Sequence, residues 1–327
     1  MQPEKFAPMR AGFLMWLALG ALAAFAWGAG SSPAREYQRT FPVQPGCTLV
    51  VDTYHGEIVI EESDQSEVRV TLNVDFEVET EAEAERFWAG LDCRFSADGQ
   101  TVSIVARNPV ATGPRLSWDE NKRMNLYYRI SVPRQCDLRL KTGMGRITVG
   151  RLAGRMSARV DTGTIFFRQV DGSIDAAVDT GEVVISRCSG DVSVRVREGT
   201  IRVGTIGGRA ELRNSRGGID VMVAKGALTA LAKLGDISVN FPRQVSQPAS
   251  LTAAGGNVNV QIDPAAHCEV DASATWGRVR NTLPLTGAAV DREARRVTGR
   301  LNQGGPLLKI RADGGSVSLV PGEAPFE

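Results

Sequence analysis

The sequence has few aromatic side chains and almost no histidine. Phe, Trp and Tyr make up 6% of its 327 residues, and the two histidines are His55 and His267. With 35 glycines, this composition indicates many turns and narrow layers, and not a thick helical core. The motifs H-E-x-x-H, G-x-S-x-G and the P-loop are missing from the sequence, which excludes the enzyme classes that they mark.

The chain also has no excess of charge of either sign. There are 38 Lys and Arg against 37 Asp and Glu, so the formal net charge is +1. This balance provides no general attraction to nucleic acid or to an anionic membrane. We therefore expect no nucleic-acid partner, and contact with a membrane only through the N-terminal segment if that segment is not cleaved.

The first residues have the pattern of a targeting segment. Lys5 and Arg10 are followed by an almost wholly apolar stretch, Ala11–Trp27, and Ala-Phe-Ala at 24–26 suits signal-peptidase cleavage. No charged residue occurs in Ala11–Ala34, and this uncharged stretch is also long enough for an uncleaved anchor. We interpret residues 1–30 as a signal peptide or membrane anchor, and both alternatives predict export to the periplasm, outer membrane or cell surface.

Five cysteines occur without C-x-x-C spacing, so neither a metal site nor a redox motif is predicted. Disulfides can form in an exported chain. The first candidates are Cys47, Cys93 and Cys136, while the pairing of these and of Cys268 stays open. The odd count leaves at least one thiol unpaired, and Cys188 is the best candidate for it.

Glycine spacing is the most informative feature of the sequence. Eleven glycines follow one another at nine-residue intervals from Gly145 to Gly235. In each nine-residue unit the third and fifth positions are apolar, while the second and fourth are mostly polar or small. This alternation predicts a short strand with one buried face, and the glycine before it provides a corner.

A second pattern has twice this period. Position eight is apolar in alternate units, as at Leu152 and Cys188, and in the other units position seven is apolar instead, with Asn214 as an exception. Two consecutive nine-residue units are therefore expected to form one coil with two unequal halves. Coils stacked about 4.8 Å apart would bury a continuous apolar ladder. The predicted fold is all-β, a parallel β-solenoid of Gly-x-[IV]-x-V units, with Cys188 as a buried thiol.

The N-terminal part has a different pattern. Strands are predicted at 49–52, 56–60, 68–74, 102–106 and 126–132, antiparallel in part. A capping box at Thr80, followed by Phe87, Trp88 and Leu91 on one face, predicts a helix at about 80–91.

These patterns divide the chain into two parts beyond the targeting segment. Residues 35–140 are predicted to form a β cap that covers the open end of the solenoid at 141–325. Polar, Pro- or Gly-containing segments at 108–122 and 242–254 are predicted to be loops or irregular.

The segment FPVQPGCTLVVDTYHGEIVIEE at 41–62, together with the recurrent G-x-[IV]-x-V units, resembles the bacterial adhesin-like family of β-strand-repeat envelope proteins, a domain of unknown function. The resemblance covers the chain from about Arg35 to its C-terminus. It implies a cell-envelope protein in an adhesin-like role. The family has no established catalytic residues, so the resemblance transfers none to this chain.

The triplet Asp-Thr-Gly, which aspartic proteases use, begins at Asp161 and again at Asp179. Because the two triplets are one coil apart, we expect their aspartates to stack on an outer corner without a cleft, where they satisfy turn backbone groups. Calcium-binding β-rolls need G-G-x-G-x-D, which these units lack, although weak calcium binding by the stacked carboxylates stays open. No cofactor is predicted.

A row of arginines recurs at one outward position, at Arg159, Arg195 and Arg213, interrupted by Ala177 and Leu231. An interrupted row favours a solvated surface over the active site of a polysaccharide-active β-helix enzyme. We predict a non-catalytic, exported protein that binds an envelope protein or glycan. The alternative is a scaffold that self-associates. The predicted binding residues are Arg159, Asp161, Asp179, Arg195 and Arg213.

Overall fold

The computed structural model describes residues 34–107, 124–291 and 293–322, and these form an open, all-β fold with one helix. The predicted all-β class is confirmed. The targeting segment at 1–30 and the loop at 108–122 lie outside the described residues. In the ranges that the structure describes, no helix is both long and apolar enough to cross a membrane.

The N-terminal strands are β1 (Ala34–Pro42), β2 (Cys47–Ser63), β3 (Glu67–Phe76), β4 (Asp92–Asp98), β5 (Thr101–Arg107) and β6 (Met124–Pro133). Helix α1 (Glu81–Gly90) lies between β3 and β4, and the backbone N–H of Glu83 donates to the Thr80 hydroxyl at 3.3 Å, as in the predicted N-cap. The sequence patterns did not indicate β1 and β4.

The middle strands are β7 (Cys136–Cys188), β8 (Val192–Ile206), β9 (Ala210–Arg216), β10 (Ile219–Ala224), β11 (Leu228–Leu234) and β12 (Ile237–Phe241). The C-terminal strands are β13 (Ala249–Ala253), β14 (Val258–Ile262), β15 (Cys268–Ala274), β16 (Val279–Asn281), β17 (Thr286–Val290), β18 (Arg296–Leu301), β19 (Leu307–Ala312) and β20 (Val317–Pro321).

In the middle strands the chain winds into stacked coils. Ile174 of β7 pairs in parallel with Val192 of β8, and Ile219 of β10 pairs with Ile237 of β12, so each residue lies beside its equivalent in the next coil. Each coil has two walls, and the inward residues of both walls pack into one core. We call the wall that includes residues 146–150 and the equivalent segments of later coils the second wall. Its inward residues form a fully buried ladder: Ile147, Ile165, Val183, Ile201, Ile219 and Ile237. Each such side chain stabilises the fold by about 1.5–3 kcal/mol.

Stacked glycines form the corner between the two walls. From Gly145 to Gly235, the glycine at this corner of every coil has φ between +127° and +148°. A Cβ at Gly181 would lie 1.8 Å from the carbonyl oxygen of Gly163. Glycine is required here both by the backbone conformation and by the close approach of neighbouring coils.

At the N-terminal end, β2 lies inside the stack. It pairs in parallel with β7 on one side, Cys47 opposite Cys136, and with β5 and β6 on the other. Antiparallel strands then finish each wall: β4 beyond β5, and β3 and β1 beyond β6. The stacked coils therefore include residues 47–63 and 136–140, which the sequence pattern had assigned to the cap at 35–140.

At the C-terminal end the last strands are also inserted. On one wall β19 pairs in parallel with β13 and β15, and on the other β20 pairs with β14 and β16. Beyond β15 the sheet continues with two antiparallel strands, since β18 pairs with β15 and β17 pairs with β18. The prediction of an irregular segment at 242–254 was wrong for Ala249–Ala253, where alanines, which have low strand propensity, occupy two of the three buried positions beside Leu251.

Candidate functional site

One wall of the stack carries a surface groove of about 450 Å³. We call this wall, which includes the outward residues of 137–142 and of the equivalent segments in the next four coils, the groove wall. Its outward residues form three columns. The first column is Asp137, Arg155, Ser173, Asp191 and Arg209; the second is Arg139, Ser157, Asp175, Ser193 and Glu211; the third is Lys141, Arg159, Ala177, Arg195 and Arg213.

The groove follows from the sizes of these side chains. Ser157, Ser173 and Ser193 are small and line the groove, while longer charged residues of the first and second columns surround them. The apolar residues between the columns, such as Ile174, face the core and hold the strands in register. The groove is therefore lined by hydroxyl groups and by charged side chains of both signs, together with apolar residues of the same strands such as Met156 and Val192.

In the first column, charged groups of successive coils contact each other directly. Arg155 donates to the Asp137 carboxylate from its backbone N–H at 2.8 Å and from Nε and Nη2 at 3.0 and 2.8 Å. Burial acts to raise the pKa of the Asp137 carboxyl, but the hydrogen bonds and charge of Arg155 outweigh it, so this pKa lies below its ordinary value. Asp137 is therefore a stable anion that positions Arg155.

The predicted arginines lie in the third column, along the border of the groove. Asp175, which lines the groove, lies between Arg159 and Arg195, with nitrogen–oxygen distances of 3.9 and 3.4 Å. Arg213 pairs with Glu211. All three arginine side chains are 57–66% exposed, so these ion pairs contribute little to stability and can exchange partners.

The predicted aspartates lie elsewhere, on the corner that follows the groove wall. Asp161 and Asp179 are exposed and one coil apart, and Asp179 lies 3.6 Å from Arg197 of the next coil. Neither residue lines the groove. Across the described ranges, no group of three or more His, Cys, Asp or Glu side chains is placed to hold a metal ion.

The structure thus places Arg159, Arg195 and Arg213 in one column of the groove wall, and it places the aspartates on the corner that follows. Our interpretation of the sequence did not identify the groove, including Asp175 and its serines. The second and fourth positions of alternate nine-residue units would have indicated it, because these positions form its first and second columns.

Comparison with solved structures matches several bacterial proteins at low sequence identity. A putative adhesin from Parabacteroides distasonis ATCC 8503 is 9% identical, with 87% of this chain and 97% of that chain covered and a TM-score of 0.46. A putative adhesin from Parabacteroides merdae ATCC 43184 is 10% identical, with 87% and 96% covered and a TM-score of 0.46. A putative lipid binding protein from Parabacteroides distasonis ATCC 8503 is 11% identical, with 87% and 96% covered and a TM-score of 0.35. No curated protein matches the chain.

A family model described as Toastrack DUF4097 matches residues 48–319, from the first turn of the stack in β2 to the inserted strand β20. This match covers most of the chain and both inserted ends. It confirms the resemblance to an adhesin-like family of unknown function. The chain belongs to the Toastrack DUF4097 family.

Proposed function

We propose that this protein is a non-catalytic, exported cell-envelope protein, adhesin-like, which binds another envelope protein or a glycan through its groove wall. The observation that carries the proposal is the groove itself, with serines in its lining and exposed, exchangeable ion pairs along its border. A ligand carboxylate or sulfate could replace Asp175 as the partner of Arg159 or Arg195 without leaving a buried charge unpaired.

The ionisable groups that border the groove favour binding over catalysis. A general acid is expected to have a raised pKa, whereas the pKa of Asp137 is lowered and its carboxylate is occupied by Arg155. The arginines form an interrupted row, and Asp161 and Asp179 lie on an exposed corner. Neither arrangement is enclosed in the way that an active site is.

The proposal is tested by charge reversal on one wall. In the triple variant Arg159→Glu, Arg195→Glu and Arg213→Glu, we expect binding to an immobilised acidic polysaccharide, polygalacturonate, and to a bacterial envelope fraction to fall about tenfold or more. The matched control is the second-wall variant Arg146→Glu, Arg168→Glu and Arg202→Glu, which makes the same change in net charge.

We expect the control variant to bind within about twofold of the unchanged protein. Equal losses in both variants would mean that net charge, and not the groove wall, determines binding. Shortening of the polysaccharide by the unchanged protein would contradict a non-catalytic function.

A self-assembling envelope scaffold is the second candidate, favoured by one edge strand. β17 has five exposed, uncharged residues, and among the described strands it pairs only with β18, which leaves its other edge open for pairing with a second molecule. Light scattering over a wide concentration range tests this candidate. Growth into large assemblies that the variant Ala289→Lys prevents would favour the scaffold, and a constant monomer mass would exclude it.

A further inference from the structure

Two of the five cysteines face each other at the N-terminal end of the stack. Cys47 begins β2 and Cys136 begins β7, and the two residues are register partners in neighbouring parallel strands. Their Sγ atoms lie 3.1 Å apart, and the side chains are 0 and 1% exposed. Neighbouring strands lie about 4.8 Å apart, within the Cα–Cα range of about 4.4–6.8 Å that disulfides span.

No other cysteine pair has this arrangement, and all five cysteines lie in the described ranges. Cys93 lies opposite Ala106 of β5, five residues along that strand from Thr101, the partner of Thr48. This separation is about 17 Å, too far for a bond with Cys47.

The remaining two cysteines lie in other parts of the stack. The Cys188 thiol packs against the Gly172 carbonyl oxygen at 3.2 Å in a core position of β7, and Cys268 lies opposite Leu301 at the C-terminal end. The register therefore selects one pair among the alternatives that the sequence leaves open.

We propose that Cys47 and Cys136 form a disulfide that closes residues 47–136 into a covalent loop. The two thiols lose two protons and two electrons as the S–S bond forms. A protein or glutathione disulfide accepts them and becomes two thiols. In the cell this step rests on the proposed export to an oxidising compartment. The bond ties the inserted strand β2 to its partner β7, which is 89 residues away in sequence.

The test is oxidative refolding of the full chain. The reduced, unfolded protein is refolded in a buffer of reduced and oxidised glutathione, free thiols are alkylated, and tryptic peptides are analysed by mass spectrometry. We expect most molecules to give a peptide that links Cys47 to Cys136, with Cys188 alkylated. The control variant Cys188→Ala should give the same linked peptide. Alkylation of both Cys47 and Cys136, or linkage of either one to a third cysteine, would overturn the proposal.

A second measurement is the melting temperature. Refolding with reductant should lower it by roughly 5 to 15 °C relative to the oxidised chain, because the loop then no longer restricts the unfolded state. The double variant Cys47→Ala and Cys136→Ala should show no such dependence on reductant. If the melting temperature of the wild-type chain also did not depend on reductant, the proposal would be contradicted. Both measurements are made outside the cell, so a failure of export leaves their outcome unchanged.

Discussion

The middle of the stack and its two ends use similar strands but pair them differently. In the middle, every strand pairs with the equivalent segment of the next coil along the chain, as Val192 of β8 does with Ala210 of β9. At the ends the paired segments lie much further apart in sequence, since Cys47 pairs with Cys136 and Leu251 with Ile310. Local repetition is therefore enough to extend the stack, whereas long-range pairing finishes it.

The two ends share one construction. At the C-terminal end the strands nearest the chain terminus, β19 and β20, enter the interior of the stack, and segments from further inside the sequence form the outer strands. At the N-terminal end β2 enters the stack in the same way, while β1, which precedes it, lies outermost beyond β3. β2 lies between β7 and the pair β5 and β6, and β19 lies between β13 and β15. Strands paired on both sides resist fraying, so at the C-terminal end the arrangement protects a part of the chain of the kind that most often becomes disordered.

The largest effect is expected at a middle corner. Gly181→Ala would place a Cβ 1.8 Å from the backbone oxygen of Gly163, at a residue with φ of +139°. Since backbone must move in two coils, we expect the free energy of unfolding to fall by more than about 4 kcal/mol, measured by chemical denaturation.

The matched control for this change is Gly90→Ala at the end of α1. An added Cβ there meets no atom within 4 Å, so we expect a change within about 0.5 kcal/mol. A loss at Gly181 as small as that at Gly90 would show that neighbouring coils can separate, and that the glycine corner does not set their spacing.

An intermediate effect is expected at the inserted C-terminal strand. Lys309 of β19 is exposed but pairs with Ser250 on one side and Asp271 on the other. Lys309→Pro removes a backbone N–H from a strand with two partners, so we expect a loss of about 3 kcal/mol in the free energy of unfolding. Hydrogen exchange should show faster exchange in β13 and β15.

The edge strand β17 provides the comparison for this change. Ala288 is exposed and lies at an irregularity in the pairing of β17 with β18, where proline is tolerated. We expect Ala288→Pro to change the free energy of unfolding much less than Lys309→Pro. Equal effects would mean that the inserted strand stabilises the end no more than an open edge does.

The sequence was sufficient for the parts of the fold that repeat. Glycine spacing and apolar alternation predicted an all-β chain, and Thr80 with the apolar face behind it indicated α1. The insertions of β2 and β19 could not be predicted, because both strands have the same alternating pattern as their neighbours. Pattern identifies a buried face, but it does not identify which distant strand will be the partner.

For the candidate site the limit was similar. The repeat spacing was enough to place Arg159, Arg195 and Arg213 on one wall, which the structure also does. Asp175 was missed because it belongs to a neighbouring column, and its contacts with two arginines arise only when adjacent coils come into register.

Asn214, the polar exception at an otherwise apolar core position of the repeat, is explained by its side-chain amide, which donates to the carbonyl oxygens of Gly199 and Gly218 at 2.8 and 3.0 Å.

The smallest effect concerns pH and again separates an end from the middle. His55 lies at the corner of the inserted strand β2, where the equivalent residues of the middle coils are Thr162 and Thr180. Burial lowers the pKa of the His55 imidazole below its ordinary value, and contacts with Asn125 and Met144 offset this only in part.

A lowered folded-state pKa means that the unfolded chain binds the proton more readily. The stabilisation from neutral His55 is therefore complete above about pH 6.5 and is lost as the pH falls through the lower folded-state value. Between neutral pH and about pH 5 we expect the hydrogen-exchange protection factor, which corrects for the slower intrinsic exchange in acid, to fall in β2 more than in β8. His55→Gln should remove this difference, whereas His267→Gln, at an exposed residue, should leave it. Equal losses of protection in β2 and β8 would place the acid sensitivity outside the inserted end.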